Sequence, residues 1–389
     1  LNFFWLWERA KMTTSKTYIF TINGAEALST MMPVAGFVSG DKHPTPIYGF
    51  VLFRMSNGNL FVQSISGGQC ITRMVQTNPM DVCEDFSLCL EANKLRSILG
   101  GLKDADTITF EVSLSGAVIK SGRSKLKCDV MSAEGFPTPP KVTDDAFSAL
   151  INFNDLSDVV RKTRHAMATN DVRYYLNGLH MNFNDGSLSV SGSDGHRLSS
   201  FSISGLQFDG QAEVIVPKKM VDLIGADKGD KGQVRVKIDA NMVEFTWSTG
   251  QVRSQSIDGK FPNVGQFLNS DVVPHAKVNR QSFLQSLSRV KSVSDSKNPA
   301  VCLSNDNSEL KLCAVTVQNE VTGEDYIAGS FCESAFQNRL GANAIYLAEA
   351  LSAFDDEELV LSQSTGTGFL MLSPATGGTK REIVMPFRI

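Results

Sequence analysis

The sequence predicts an α+β protein made of three topologically similar domains, each with two helices and antiparallel sheets. The 389 residues exceed one ordinary core, since about 100 to 200 residues per domain gives two to four domains. A polar turn followed by an alternating strand recurs with spacings of 128 and then 122 residues, at Leu60, Leu188 and Leu310. A second glycine marker recurs every 128 residues, at Gly122, Gly250 and Gly378. Two markers at nearly equal spacing favour an internal repeat over three unrelated domains.

Six amphipathic stretches predict two helices in each repeat, because apolar residues recur in them at helical spacing. In chain order they begin near Gly24, Ala92, Asn154, Pro217, Asn279 and Asn343. Pro33 interrupts the first stretch and weakens its pattern. We expect Asp155 to cap the third helix. We expect Pro217 in the first turn of the fourth helix, and Gly225 or Gly229 at its end.

Short alternating segments with Gly, Asn or Asp at their turns follow each helix and predict antiparallel strands. Within them, "TNDVRYYLNG" is expected to place Tyr174 and Tyr175 on a strand, with at least one of the two rings directed inward. Asp194 and Gly195 are expected to form a turn after the strand "SLSVSGS". A helix with a few strands cannot bury both its apolar stripe and the sheet face alone. The units must therefore pack side by side.

The composition indicates a globular protein, with 20% charged residues and a formal net charge of −4. That charge excludes no partner, because nucleic-acid binding depends on where Lys and Arg lie. The scattered cysteines show no CxxC spacing and are expected to be buried in a reducing compartment: Cys70, Cys83, Cys89, Cys128, Cys302, Cys313 and Cys332. The five histidines form no HxH or HExxH motif, so we expect neither a metal site nor another cofactor.

The first 11 residues, "LNFFWLWERAK", are apolar but much shorter than the roughly 20 residues of a membrane span. They also lack the basic region and cleavage site of a signal peptide. We interpret residues 1–11 either as a non-native or upstream appendage, with Met12 the expected initiator, or as a small packing segment. The protein is expected to be cytoplasmic.

Several segments resemble, in the same order, the bacterial sliding clamp family, the beta subunit of DNA polymerase III. They are "RHAMATNDVRYYLNGLHMNF", "SGSDGHRLSSFSI", "VIVPKKMVDLI", "DGKFPNV" and the terminal "IVMPFRI". The resemblance implies the DNA clamp fold, with domains at 12–140, 145–268 and 274–389. It also implies a ring-shaped, head-to-tail homodimer with helices lining the hole.

The resemblance implies a processivity factor without catalytic activity, which encircles duplex DNA and tethers the replicative polymerase. The implied partners are the DNA polymerase III catalytic subunit, the clamp loader and other replication and repair proteins that carry a clamp-binding motif. A phage- or plasmid-type clamp with an accessory role is the alternative. An enzyme with His196 as base beside Asp194 is a remote one, because no nucleophile elbow, phosphate loop or carboxylate pair accompanies them.

The family's pocket binds short peptide tails that carry an apolar pair and an aromatic residue. The matching positions are Leu176, Ser193, Gly195, His196, Arg197, Leu198, Pro262, Phe267, Asn343, Tyr346, Ile383, Val384, Met385, Pro386, Phe387, Arg388 and Ile389. Arg197 is expected to orient the peptide and Leu198 to line the floor. A chain end rich in apolar residues is also compatible with an edge strand that completes the last sheet. Gln266 and Phe267 stand where the family typically has Arg and Val, which predicts a bulkier floor.

Sequence-independent DNA binding requires Lys and Arg contacts to phosphate. The candidates on the predicted helices and loops are Lys42, Arg161, Lys162, Arg164, Arg173, Tyr174, Tyr175, Lys218, Lys219, Arg280, Arg289 and Lys291. Lys218 and Lys219 occupy a first helical turn, where the helix dipole disfavours cations unless an anion binds there. The alternative for each cation is a solvated surface residue. For the subunit interface, the matching positions are Ser292 and Val293, where the family typically has two bulky apolar residues.

Overall fold

The computed structural model describes residues 16–38, 44–78, 84–138, 141–226, 232–294, 299–306, 309–315, 321–331 and 339–387. Within them the helices are α1 Gly24–Val38, α2 Ala92–Gly101, α3 Phe153–Thr163, α4 Lys218–Ala226, α5 Gly265–Leu268, α6 Arg280–Lys291 and α7 Ala344–Ser352. Three 3₁₀ turns accompany them, at Pro46–Gly49, Arg164–Ala166 and Tyr174–Leu176.

The first half of the strands runs from the amino end to the middle of the chain. These are β1 Tyr18–Asn23, β2 Phe50–Ser56, β3 Asn59–Ser66, β4 Gln69–Val75, β5 Phe86–Glu91, β6 Thr107–Ser113, β7 Gly116–Ser121, β8 Ser124–Cys128, β9 Val130–Ser132, β10 Phe147–Asn152, β11 Gly178–Asn184 and β12 Ser187–Ser193. The others are β13 Arg197–Ser204, β14 Ala212–Pro217, β15 Gln233–Ile238, β16 Met242–Trp247, β17 Gly250–Gln255, β18 Val272–Asn279, β19 Ala300–Asp306, β20 Glu309–Val315, β21 Val321–Phe331, β22 Leu340–Asn343, β23 Glu358–Ser364, β24 Leu370–Pro374 and β25 Arg381–Val384.

The chain forms two compact units. One contains the chain up to Ser148 together with Lys231–Gln255. It holds a four-stranded sheet in the order β1-β6-β7-β8, and a larger sheet in which β15, β16, β17, β4, β3, β2, β5 and β9 lie side by side. Stacked phenylalanines form much of its core, with the Phe20 and Phe110 rings 5.1 Å apart.

The other unit contains Ala149–Asp230 and Ser256–Ile389. Its twelve-stranded sheet has the order β14-β11-β12-β13-β25-β24-β23-β18-β21-β20-β19-β22. The β13–β25 pair joins two halves of this sheet, because it sets Leu198 opposite Ile383. Chain segments almost 200 residues apart in sequence thereby meet at one place.

The six predicted helices are confirmed, and α5 is an additional short one. Pro33 does not break α1, because the apolar stripe of Ala27, Met31 and Val34 is fully buried and outweighs the lost hydrogen bond. The predicted cap of α3 was wrong: Asn152 caps the helix, its Oδ1 accepting from the Asn154 N–H at 2.9 Å, and Asp155 lies inside the first turn. Helix α3 begins earlier than its apolar pattern suggested.

Pro217 is the last residue of β14, so it precedes α4 and does not lie in its first turn as predicted. Lys218 and Lys219 do occupy that turn. Gly225 lies within the last turn of α4, and Gly229 lies outside the described residues. Among the described cysteines, burial is confirmed for Cys70, Cys89, Cys128, Cys302 and Cys313, whereas Cys83 and Cys332 lie outside the described residues.

Candidate functional site

An apolar cluster lies where β13 meets the chain end. Its buried members are Leu198, Phe369, Met371 and Ile383, and partly buried apolar side chains cover it: Val264, Phe267, Leu268, Val272 and Met385. The Phe267 ring meets the Phe369 ring edge-on, with centroids 6.1 Å apart. Leu176 belongs to an adjoining cluster, and Val264 packs against both. Phe267 and Met385 are only partly buried, so this apolar floor reaches the protein surface at these two residues.

The turn between β12 and β13 forms as predicted. The Asp194 carboxylate Oδ1 accepts from the backbone N–H groups of His196 at 2.9 Å and Arg197 at 3.1 Å. Gly195 has a φ of 88°, a left-handed conformation that favours glycine. A Cβ atom there would also lie 2.6 Å from Nη1 of Arg173. Asp194 therefore shapes the turn by accepting from both backbone amides that follow Gly195.

Arg197 braces the wall of this site. Its Nε donates to Asp194 Oδ2 at 3.0 Å, its Nη2 donates to the His165 carbonyl at 2.6 Å, and its Nη1 pairs with Glu349. The guanidinium also lies over the Tyr346 ring, 4.4 Å from its centroid. With its side chain only 10% exposed, Arg197 holds three chain segments together. Most of the guanidinium's hydrogen-bonding capacity is therefore used inside the protein. The predicted role of orienting a bound peptide has to use what remains.

The chain end contributes both to the core and to the surface. Strand β25 lies between β13 and β24 and is therefore internal to the sheet, not the edge strand of the alternative interpretation. Ile383 and Val384 are buried in it. Beyond it, the Met385 N–H donates to the His196 carbonyl at 2.9 Å, and the Phe387 N–H donates to the Gly341 carbonyl at 2.8 Å. Pro386 and Phe387 are exposed, whereas Arg388 and Ile389 lie outside the described residues.

Helix α7 contacts the turn at His196 and Arg197 through Tyr346. The Asn343 side chain caps this helix by accepting from the backbone N–H groups of Ile345 at 2.9 Å and Tyr346 at 3.3 Å. The Tyr346 ring is nearly parallel to the His196 ring, with centroids 6.5 Å apart. Burial raises the pKa of Tyr346. Pro262 is exposed, and the Ser193 hydroxyl donates to the Arg197 carbonyl at 2.7 Å. Of the predicted groove residues, Leu198, Phe267, Ile383 and Met385 belong to this apolar cluster.

Four candidate cations on α3, on the 3₁₀ turn after it and on α4 are paired with carboxylates. Lys162 Nζ lies 2.8 Å from Asp158 and 2.7 Å from Asp355. Burial acts to lower the pKa of Lys162, but its hydrogen bonds to these two carboxylates outweigh that effect and raise it. The remaining pairs are Arg161 with Asp158 at 2.5 Å, Arg164 with Asp222 at 3.5 Å and Lys218 with Asp222 at 3.0 Å. Lys219 is half-buried.

The candidate cations on α6 are in mixed environments. Arg280 Nε donates to the Asp356 carbonyl at 2.8 Å, and Arg289 pairs with Asp325 at 2.6 Å, while Lys291 is exposed. Ser292 and Val293 follow the helix directly and are also exposed, Val293 to 48%. Lys42 lies outside the described residues.

The strand predicted for Tyr174 and Tyr175 was wrong, because Tyr174–Leu176 is a 3₁₀ turn. The turn is fixed by Asp171, whose carboxylate accepts from the Arg173 backbone N–H at 2.8 Å and from its guanidinium at 2.8 and 3.0 Å. Arg173 also donates to the Asp194 carbonyl at 3.0 Å. Tyr174 is 55% exposed and Tyr175 is partly buried against the cluster of Leu176. The exposed aromatic loop is thereby bonded to the turn of the groove.

Sequence reasoning missed the buried charges beside the groove. Lys380 and Glu382 form an ion pair there, with Ser199 and His165 around it. The only sequence signal was two opposite charges two residues apart in "TKREIV", which a strand places on one face. Within the described part of the chain, no cluster of His, Cys, Asp and Glu could hold a metal ion. A search of the same residues finds no helix with the length and apolar character of a membrane span.

Three family models match successive parts of the chain. They describe the N-terminal, central and C-terminal domains of the DNA polymerase III beta subunit and match residues 18–140, 150–263 and 268–388. The beta sliding clamp of Pseudomonas putida is 26% identical over 375 residues, which are 95% of this chain and 100% of the relative. That of Escherichia coli is 25% identical over 380 residues, with the same coverage.

Solved structures agree over the same extent. The DNA polymerase sliding clamp from Pseudomonas aeruginosa has a TM-score of 0.82 at 25% identity, covering 96% of this chain and 100% of that one. A sliding clamp from the same organism, bound to griselimycin, has a TM-score of 0.84 with equal identity and coverage. The likeness therefore spans the fold from end to end.

Proposed function

Because the chain belongs to the DNA polymerase III beta subunit family and is a DNA sliding clamp, we propose that it closes around duplex DNA as a ring-shaped homodimer and holds its partners in the groove at the chain end. It acts as a processivity factor in the cytoplasm and has no catalytic activity of its own. Its three domains extend over 12–140, 145–268 and 274–389.

The main support for this groove is the pairing of β13 with β25. It brings the turn at Asp194 beside Met385, with the apolar floor of Leu198 and Ile383 between the turn and α5. An open apolar floor with a few fixed polar groups suits a short peptide with an apolar pair and an aromatic residue. The peptide tails of the polymerase catalytic subunit, the clamp loader and other replication and repair proteins bind there.

Removal of the last five residues, Met385–Ile389, tests this groove. The truncation leaves β25 complete, since the strand ends at Val384. We expect the truncated protein to keep its fold and its dimer but to lose binding of the polymerase and of a labelled peptide, measured by fluorescence anisotropy. Undiminished binding would refute the groove assignment.

We further propose that α3, α4 and α6 bind DNA phosphates through the cations on their surfaces, with Arg173 and the ring of Tyr174 at the exposed loop. The carboxylate partners support a weak, exchangeable contact, because an exposed ion pair contributes only about 0 to 1 kcal/mol. Phosphate oxygens then replace Asp158 at Arg161, or Asp222 at Lys218, without a large loss, since these two cations are exposed. Contacts of this kind hold DNA without reading its sequence and allow the protein to slide.

Retention on circular DNA tests encirclement. The clamp, loaded on a nicked circle, should stay bound through gel filtration and should dissociate when the DNA is linearised. In solution it should sediment at twice the 42.4 kDa chain mass. High salt should weaken the phosphate contacts without releasing the closed ring from the circle. Equal loss from circular and linear DNA would contradict the ring.

A further inference from the structure

Two oppositely charged side chains are buried together behind the groove. Lys380 is 4% exposed and Glu382 is 1% exposed. The Lys380 ammonium donates to the Lys162 carbonyl at 2.8 Å, to the Ser199 hydroxyl at 2.7 Å and to Glu382. All three of its N–H bonds therefore have an acceptor.

Glu382 is equally well bonded. Its Oε1 accepts from the Ser199 hydroxyl at 2.6 Å as well as from Lys380, and its Oε2 lies 3.3 Å from Nε2 of His165. Ser199 faces Glu382 directly in the β13–β25 register. Burial acts to raise the pKa of Glu382, but the charge of Lys380 and the contact with His165 outweigh it and lower that pKa. The pair is thus a closed network of charges and hydrogen bonds.

The network is hydrogen-bonded to the carboxyl end of α3. The last carbonyls of a helix have no partner inside the helix, and cations near them are stabilised by the helix dipole. Here Lys380 bonds the carbonyl of Lys162, and Arg197 bonds that of His165 in the following 3₁₀ turn. One cation comes from beside β25 and the other from β13. Both strands are therefore fastened to one segment of the chain, the end of α3 with Arg161 and Lys162 and the 3₁₀ turn with Arg164.

A buried ion pair is a poor source of stability, because replacing it with apolar groups of similar volume is often neutral or stabilising. The pair instead fixes geometry, because its hydrogen bonds form only when β25, β13 and the end of α3 lie in one relative position. We propose that the Lys380–Glu382 pair is the positioning element of the peptide groove, fixing the last strand of the chain so that Met385–Phe387 form its wall. This inference rests on the proposed function of the groove.

The double variant Lys380→Met with Glu382→Leu tests the inference. We expect stability close to that of the wild type but a loss of at least about fivefold in affinity for a labelled peptide carrying an apolar pair and a phenylalanine. Hydrogen exchange of the Met385 amide, which bonds the His196 carbonyl, should become faster. Unchanged peptide affinity together with unchanged exchange at Met385 would overturn the proposal.

A matched control is available in the other compact unit. Arg253 and Glu244 form a largely buried pair across β16 and β17, with Nε and Oε2 at 2.7 Å. Arg253→Met with Glu244→Leu should leave peptide affinity and Met385 exchange unaltered. If it lowered peptide affinity as much as the first double variant, the effect would be general destabilisation and the positioning role would be refuted.

A single substitution decides the question if the double variant does not fold. Ser199→Ala removes the hydroxyl that bonds both Glu382 and Lys380, and should weaken peptide binding and speed Met385 exchange. Ser191→Ala removes a comparable buried hydroxyl in β12 and should do neither. Equal effects of the two would overturn the proposal. Failure of the wild-type protein to bind the peptide would instead refute the groove itself.

Discussion

The contacts of Arg197 depend on residues that are distant in the sequence. Its assignment to the groove came from the family resemblance and stays a prediction, whereas the turn at Asp194 followed from ordinary turn chemistry. Its partner Glu349 is 152 positions away in the sequence, and no local pattern links the two. The same holds for Lys162 and Asp355. The sequence therefore indicated these residues as candidates, but their carboxylate partners depend on the tertiary fold and could not be predicted.

Phe267 should set which peptides fit the groove. Its ring lies on the apolar floor against Phe369, so Phe267→Val opens space there at a cost on the order of 1 kcal/mol of folding stability. We expect the ratio of affinities for a peptide with a bulky apolar pair over one with a small pair to rise roughly tenfold. Calorimetric titration with both peptides measures it.

Phe208→Val is the matched control for that change. Phe208 is also half-buried and also meets another ring, Phe183, edge-on at 5.7 Å, but it lies away from the floor. It should leave the affinity ratio as in the wild type. A shift of equal size in both variants would remove Phe267 from the role of selecting peptides.

Asp171 should remain ionised far into the acid range. Its hydrogen bonds with the Arg173 side chain and backbone lower its pKa to about 2. Because the folded-state pKa lies below the unfolded value of about 3.9, the stabilisation is complete above that value and is lost as the pH falls towards about 2. Carboxyl carbon NMR titration measures the pKa directly. Arg173→Gln should return it to the ordinary range, and an ordinary value in the wild type would contradict the pairing.

At the scale of elements, helix starts were predictable to within one or two residues because their signals are local. Asn279 and Asn343 stand before apolar stripes, and both cap the helices that follow. The cap of α3 was misassigned because Asp155 is an equally good cap by type. Only the backbone path shows that Asn152 holds that position. Tyr174 escaped prediction because Asp171 and Arg173 bend the chain where its composition favoured a strand.

Loss of the two caps should separate stability from peptide binding. Asn343→Ala and Asn279→Ala each remove one N-cap, so each should lower the free energy of unfolding by about 1 kcal/mol. Only α7 carries Tyr346 to the groove, so only Asn343→Ala should also weaken peptide binding. Urea unfolding and anisotropy measure the two effects. Equal weakening of peptide binding by both would mean that the capping geometry of α7 has no specific part in the groove.

At the scale of the molecule, the repeat predicted similar domains but not how the chain joins them. Strand pairing between β17 and β4 places Lys231–Gln255 in a compact unit with the amino-terminal part of the chain. Pairing between β13 and β25 likewise assembles the groove from distant segments. Periodicity reports which residues form similar elements, but edge-to-edge strand pairing between repeats depends on the register of backbone hydrogen bonds. That register leaves little trace in a single sequence.

The end of α6 should control closure of the ring. Val293 is 48% exposed in the single chain, and its carbonyl accepts from the Thr322 hydroxyl at 3.0 Å, so its position is fixed although its side chain is open. Val293→Glu places a charge where a subunit interface would bury it, which costs several kcal/mol without a partner. The dimer dissociation constant, measured by analytical ultracentrifugation, should rise at least about a hundredfold, and retention on circular DNA should fall with it.

Leu150→Glu introduces the same charge at another exposed apolar position, in β10, and should leave the dimer intact. A dimer equally stable in both variants would place the subunit contact elsewhere. If the contact is at Val293, the bulkier Val293→Leu should tighten the dimer, because it adds apolar area that is buried at both symmetric interfaces.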